Sequence, residues 1–199
     1  MTAVKLCGLT RKEEIAVANR LLPEYIGFVF WERSHRAICS RDAQKLKDEL
    51  NNRINAVGVF VDAPIELVID LFSRGIIDVA QLHGDEDEEY IRKLHQKNIP
   101  VIKACRVGEN GIETKFLNSE ADFLLFDPGK GDGKTFGWEC IKEVKRPYFL
   151  AGGLNPENVA ESIDILHPYG VDVSSGIETN KKKDERKMAA FVEAVRKEG

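Results

Sequence analysis

Tyr148-Phe149-Leu150-Ala151-Gly152-Gly153-Leu154-Asn155-Pro156 opens the stretch that decides the fold. Tyr148–Gly153 reads as a short apolar strand ending in glycines. Asn155 before Pro156 reads as a helix N-cap and first helical residue, because the Asn side chain accepts a free backbone N–H and proline has none to leave unpaired. Val159, Ile163 and Leu166 then recur at helical spacing, and Gly170–Ser175 is a second strand. Strand, crossover helix and strand form the unit that a parallel pair requires.

The same unit extends back to the start of the chain. Short apolar runs ending in Gly, Asp or Ser occupy Val4–Gly8, Tyr25–Phe30, Ala56–Asp62, Val79–Gly84, Val101–Val107 and Phe123–Asp127. With the two already named they make eight, spaced by about 24 residues, room for one strand and one helix. Helical periodicity follows the first strand (Ile15, Ala18, Leu22), the third (Ile65, Val68, Ile69, Phe72), the fourth (Ile91, Leu94) and the eighth (Met188, Phe191, Val192, Val195). After the fifth and sixth strands only short helices are expected, within Asn110–Asn118 and Trp138–Lys145. The fold expected is α/β, a (β/α)8 barrel in one domain over residues 1–199, near the minimum length for that architecture. An open doubly wound sheet is the alternative.

Composition narrows the function. Charged residues are 31%, hydrophobic ones 43% and the net charge is −4, which offers no electrostatic footprint for nucleic acid or an anionic membrane. No apolar run approaches the ~18 residues of a transmembrane helix, and the chain enters a strand at once with no signal-peptide pattern, so a cytoplasmic location is expected. Cys7, Cys39, Cys105 and Cys140 lie far apart, with no C-x-x-C pair and no His at metal-ligand spacing. Reduced thiols and no metal site are expected.

Side chains alternate along a strand, so Lys5 and Cys7 share a face, as do Gln81 and His83, Lys103 and Cys105, Leu125 and Asp127, and Asp172 and Ser174. Pointed inward, the later member of each pair would reach the carboxyl-end mouth, where barrels of this kind carry their active sites. Lys5 and Lys103 would alternatively form a satisfied polar layer with Asp127 and Asp172. Cys7 ends the first strand just before a helix start, with Thr10 and Glu13 at capping-box spacing. A helix start and Lys5 would both favour thiolate over thiol.

Two glycine-rich turns, Gly152-Gly153 and Ser174-Ser175-Gly176, end the seventh and eighth strands, where this architecture recurrently seats phosphate on backbone N–H groups. A third, Asp127-Pro128-Gly129-Lys130-Gly131-Asp132-Gly133-Lys134-Thr135, ends like a P-loop. Pro128 occupies the place of that motif's first Gly, so the loop reads as a lid carrying Lys130 and Lys134.

Together Lys5–Thr10, Gly27–Phe30 with Ser34-His35-Arg36, Val57–Val61, Gln81-Leu82-His83-Gly84, Gly133–Phe136 and Gly170–Glu178 resemble phosphoribosylanthranilate isomerase of tryptophan biosynthesis, in order from first strand to last. The resemblance implies a cofactor-free Amadori rearrangement by general acid–base catalysis. Cys7 matches the family's general base, Asp127 its general acid and Arg36 the residue that holds the anthranilate carboxylate. Gly152, Gly153, Ser174, Ser175 and Gly176 fall at its phosphate seat. His83 and Asp172 are further candidates for substrate binding. For this chemistry the Cys7 pKa should be lowered and that of Asp127 raised by partial burial. Partners expected are a small phosphorylated substrate and, at most, a second copy of the chain, as monomer or homodimer. Gly137 stands where the family usually has Asp, and Asn180–Asp184 carries three lysines in place of a Gly-containing turn. Rival readings are the isomerase of histidine biosynthesis, indole-glycerol-phosphate synthase, and a barrel that binds a phosphorylated metabolite without turnover.

Overall fold

The computed structural model describes residues 1–108, 111–127 and 141–197. Eight parallel strands, β1 (Ala3–Cys7), β2 (Tyr25–Val29), β3 (Asn55–Phe60), β4 (Val79–Leu82), β5 (Val101–Gly108), β6 (Phe123–Asp127), β7 (Tyr148–Leu150) and β8 (Gly170–Val173), each pair with the next. Lys5 of β1 is in register with Tyr25 of β2 on one side and with Asp172 of β8 on the other. Because β1 is flanked on both sides by the second and the last strand, the sheet closes. The open-sheet alternative is excluded. Six strand starts coincide with those read from the sequence, and the other two differ by one residue.

The helices are α1 (Lys12–Leu21), α2 (Ser40–Glu49), α3 (Ile65–Ser73), α4 (Glu88–His95), the single turn α5 (Thr114–Leu117), α6 (Val159–Leu166) and α7 (Glu185–Lys197). None of the described helices is long and apolar enough to cross a membrane. Helix α2 carries no apolar stripe in the sequence, because it buries only Ala43 and Leu46. Of the expected Asn110–Asn118 helix, the described part holds a two-residue antiparallel return, Gly111–Ile112, against the end of β5, followed by α5. The other short helix expected, Trp138–Lys145, begins outside the described residues, as does the expected lid with Lys130 and Lys134.

Most strand positions are apolar on both faces because each face meets a different layer. Outward residues such as Leu6, Phe28, Leu82 and Phe126 pack with Ile15, Leu71, Ile91 and Phe191 of the helices. Inward residues Val57, Val79, Ile102, Ala104, Leu125, Phe149 and Ala151 fill the barrel. On β5 the inward positions are thus Ile102 and Ala104. This corrects the expected facing of Lys103 and Cys105, which share the outward parity of Val101. Lys103 Nζ donates to Gly84 O and pairs with Glu86 at 3.0 Å, remote from Asp127 and Asp172. Burying apolar Ile102 and Ala104 inside decides the parity, and one residue of shift exchanges the two faces.

Caps differ in detail from the spacing rule. Glu14, not Glu13, closes the start of α1: its carboxylate accepts the N–H of Thr10 at 2.6 Å and of Arg11 at 3.0 Å. Asn155 does cap, accepting from the N–H groups of Glu157 and Asn158, but the turn it closes precedes α6 rather than opening it.

Candidate active site

A cavity of about 490 Å³ opens at the carboxyl ends of the strands. Cys7, Arg36, His83, Asp127, Gly152, Gly153, Asp172, Ser174 and Ser175 all line it. Gly176 lies just behind: a Cβ there would come within 1.9 Å of Leu154 O, so only glycine lets the turns after β7 and β8 touch. That contact draws the two glycine-rich turns onto one rim.

Cys7 reaches the cavity from β1. Gly27, its partner on β2, leaves room for the thiol; a Cβ at that position would lie 2.8 Å from Cys7 Sγ. Two residues back, Lys5 is wholly buried and donates to Asp172 Oδ1 at 2.8 Å. Its charge also acts on Cys7, two residues along the same face. Burial opposes the Lys5 charge, but Asp172 and Cys7 outweigh it and hold its pKa above the usual lysine value. Lys5 is thus a permanent cation beside the sulfur.

Burial nevertheless pushes the Cys7 thiol up, with Asp172 adding to the effect; Lys5 and Lys183 pull it down without overcoming burial. The Cys7 thiol is thus held above its usual range, the opposite of the direction expected from the sequence. Desolvation of a residue that is only 7% exposed is the larger effect, and the helix end is already occupied by Glu14. Cys105, outside the barrel, shows what burial does with less help, its pKa being raised to about 12.

Asp127 ends β6, three strands round the ring from β1, and is half-buried. It and Cys7 therefore face the cavity from nearly opposite walls. Arg36 comes from the loop after β2, which is tied down where the Ser34 N–H meets Trp31 O and the Ile38 N–H meets Val29 O. Its Nε and Nη2 donate to the two carboxylate oxygens of Glu178 at 2.6 and 2.9 Å. Lys183 Nζ holds the same carboxylate at 2.7 Å and also donates to Ser174 O. Burial alone would raise the Glu178 pKa; hydrogen bonds from Arg36 and Lys183 outweigh it and hold it at about 2. The lysines of the 180–184 turn thus have a place: Glu178–Thr179 pairs antiparallel with Lys182–Lys183 across Asn180 and Lys181, both at positive φ. This hairpin carries Lys183 to the site without glycine.

Residues 4–194 match the family model described as N-(5'-phosphoribosyl)anthranilate isomerase. The chain belongs to this family. It is 43% identical to the N-(5'-phosphoribosyl)anthranilate isomerase of Clostridium acetobutylicum, over 99% of each chain. The fold superposes on a phosphoribosyl anthranilate isomerase in complex with reduced 1-(o-carboxyphenylamino)-1-deoxyribulose 5-phosphate (36% identity, TM-score 0.87, 99% of this chain and 100% of that one). It also superposes on monomers generated from the dimeric Thermotoga maritima enzyme (35% identity, TM-score 0.85, 99% and 100%).

Among phosphoribosylanthranilate isomerase features, sequence reasoning missed the supporting groups. Glu178 stood in a quoted motif without a role, and Lys183 was one of three adjacent lysines. Val29, Val59 and Val61 stood in quoted motifs without a role, and Trp31 stood in none; all four line the cavity with Arg36. Asp172 lines the cavity, yet its carboxylate is already paired with Lys5, the polar layer anticipated for that pair.

Proposed function

We propose that this barrel converts N-(5-phosphoribosyl)anthranilate into 1-(2-carboxyphenylamino)-1-deoxyribulose 5-phosphate, with Cys7 as general base and Asp127 as general acid. The observation that carries the reading is the approach of these two groups to one cavity from facing walls. Protonated Asp127 donates to the furanose oxygen, and the C1′–O bond breaks to leave an iminium. Cys7 thiolate removes the C2′ proton, and the electron pair moves into the iminium to give an enolamine. Loss of the enol proton and protonation at C1′ complete the ketone. The iminium is the electron sink, so the two side chains suffice.

Lys5 supplies the countercharge when the Cys7 thiolate forms. Arg36, held by Glu178 and lining the cavity, takes the anthranilate carboxylate against the wall of Val29, Trp31 and Val59. Backbone N–H groups of Gly152, Gly153, Ser175 and Gly176, with the Ser174 turn, seat the phosphate; Gly152 and Gly153 both adopt positive φ, a turn conformation that suits glycine, at the cavity rim. His83 and Asp172 border the sugar. One domain over residues 1–199, a cytoplasmic location, and action as monomer or homodimer belong to the same proposal.

Freshly made phosphoribosylanthranilate mixed with the purified protein should lose its anthranilate-type fluorescence, and absence of turnover by folded protein would sink the reading. Cys7→Ala and Asp127→Asn should each lower kcat by at least ~10²-fold. Because the reaction needs Asp127 protonated and Cys7 ionised at the same time, kcat/KM should fall at both ends of the pH range, and a profile that keeps rising with pH would count against this pair.

A further inference from the structure

Gln81 sits within β4, points into the barrel and is 1% exposed, yet it borders the cavity. Its Nε2 lies 3.0 Å from His83 Nδ1, two residues along the same face. That contact engages Nε2 and leaves Oε1 as the other end of an amide whose side chain lines the cavity. Oε1 is buried and, among the described residues, has no hydrogen-bond partner. Nearly every buried polar atom of a folded protein has one, and leaving an acceptor dry and unpaired forfeits its hydration for nothing in the ligand-free state. Such a group is retained where a ligand completes it.

The chemistry of the missing partner follows from the rest of the site. An amide oxygen accepts only, so it repels carboxylate and phosphate, and both anionic ends of the proposed substrate have cationic or N–H seats elsewhere on the rim. The part between those ends carries neutral donors alone: sugar hydroxyls and the anilino N–H. Strand β4 stands between the wall of Arg36 and the wall of Asp127, facing that middle part.

We infer that Gln81 Oε1 is a substrate-binding acceptor that takes a hydrogen bond from a neutral O–H or N–H donor in the middle of the bound molecule. The inference rests on the isomerase reading of the cavity. It makes Gln81 a residue that costs the empty protein stability and serves the loaded one.

The test uses Gln81→Met, close in shape and without the amide. The unliganded variant should melt at or above the wild-type temperature, because an unpaired buried acceptor has gone. Its kcat/KM should fall roughly tenfold or more, and its affinity for reduced 1-(o-carboxyphenylamino)-1-deoxyribulose 5-phosphate should weaken by a similar factor. Wild-type kcat/KM and affinity in the variant would overturn the inference. So would a lower unliganded melting temperature with an unchanged ligand-induced rise, since Gln81 would then serve only the fold. Wild-type turnover, run alongside, tests the isomerase reading itself.

A measurement on the native chain covers a variant that fails to fold. The side-chain carbonyl ¹³C resonance of Gln81 should move downfield when the wild type is saturated with the reduced product. Movement with ribulose 5-phosphate as well assigns the donor to a sugar hydroxyl; movement with the reduced product alone assigns it to the anilino N–H. No movement with either overturns the inference.

Discussion

At the amino end of the barrel Phe149 meets Tyr25, Phe123 and Tyr169 at ring-centroid separations of 5.4, 5.6 and 5.4 Å, whereas at the carboxyl end the same interior holds Lys5, Cys7, Gln81 and Asp172. The rings meet largely edge to face, which suits their quadrupoles, and close the floor without an unpaired polar atom among them except hydroxyls that reach each other, Tyr25 Oη and Tyr169 Oη at 3.2 Å. At the mouth a cation is enclosed with one carboxylate and one thiol, and an amide oxygen has no partner among the described residues. One end of the barrel is arranged for stability, the other for a ligand. Placing them at opposite ends lets rigidity below fix groups above that are poorly solvated on their own.

The largest expected effect breaks the floor. Phe149→Ala should lower unfolding free energy by about 3–5 kcal/mol, measured by urea denaturation, because the cavity it leaves is ringed by aromatics that cannot collapse into it. The kcat of the protein that remains folded should stay within a few-fold of wild type. A loss under about 1 kcal/mol would mean that the floor is not the stabilising end.

An intermediate effect separates positioning from stability at the mouth. Glu178→Gln weakens the fork that holds Arg36 and should raise KM about tenfold with a much smaller change in kcat, while costing roughly 1–3 kcal/mol of stability at neutral pH. Its pH dependence has a definite sign. The folded Glu178 pKa of about 2 lies below the unfolded value near 4.3, so its contribution is complete above about pH 4.3 and is lost as pH falls toward 2. The stability gap between wild type and variant should therefore shrink over that acid window. A constant gap, or a fall in kcat with KM unchanged, would show that Glu178 does not act by holding Arg36.

The smallest effect tests the hairpin that delivers Lys183. Lys181 has φ 61°, a conformation that suits glycine, so Lys181→Gly should raise the melting midpoint by the equivalent of up to about 1 kcal/mol with turnover unchanged. A destabilised variant would mean that the Lys181 side chain contributes more than its backbone strain costs.

Much of this comparison is legible along the chain and part of it is not. Strand starts at Tyr25, Val79, Val101, Phe123, Tyr148 and Gly170 follow from apolar runs closed by turn residues, because a doubly covered strand must be apolar whatever its neighbours are. Helix α2 escaped notice because two buried side chains make too narrow a stripe to register as a period. Parity failed on β5, where Lys103 and Cys105 mimic the polar pairing of β1 but lie outside the barrel. Members of the candidate site recur at strand ends and in the turns that follow them, and all but Gly176 line one cavity. The partnerships among them were invisible, because Glu178 with Arg36 and Asp172 with Lys5 are separated by 142 and 167 residues.

By itself, then, the sequence determined the eight-unit rhythm, the crossover helices and the side-chain types gathered at the strand ends, all of which depend on local periodicity and turn chemistry. Closure of β1 onto β8, the facing of β5, the raised thiol of Cys7 and the unpaired oxygen of Gln81 were decided only in the tertiary structure. Each of these depends on what surrounds a group once the barrel has shut water out, and a desolvated charge or amide takes its energy from neighbours far away in the chain.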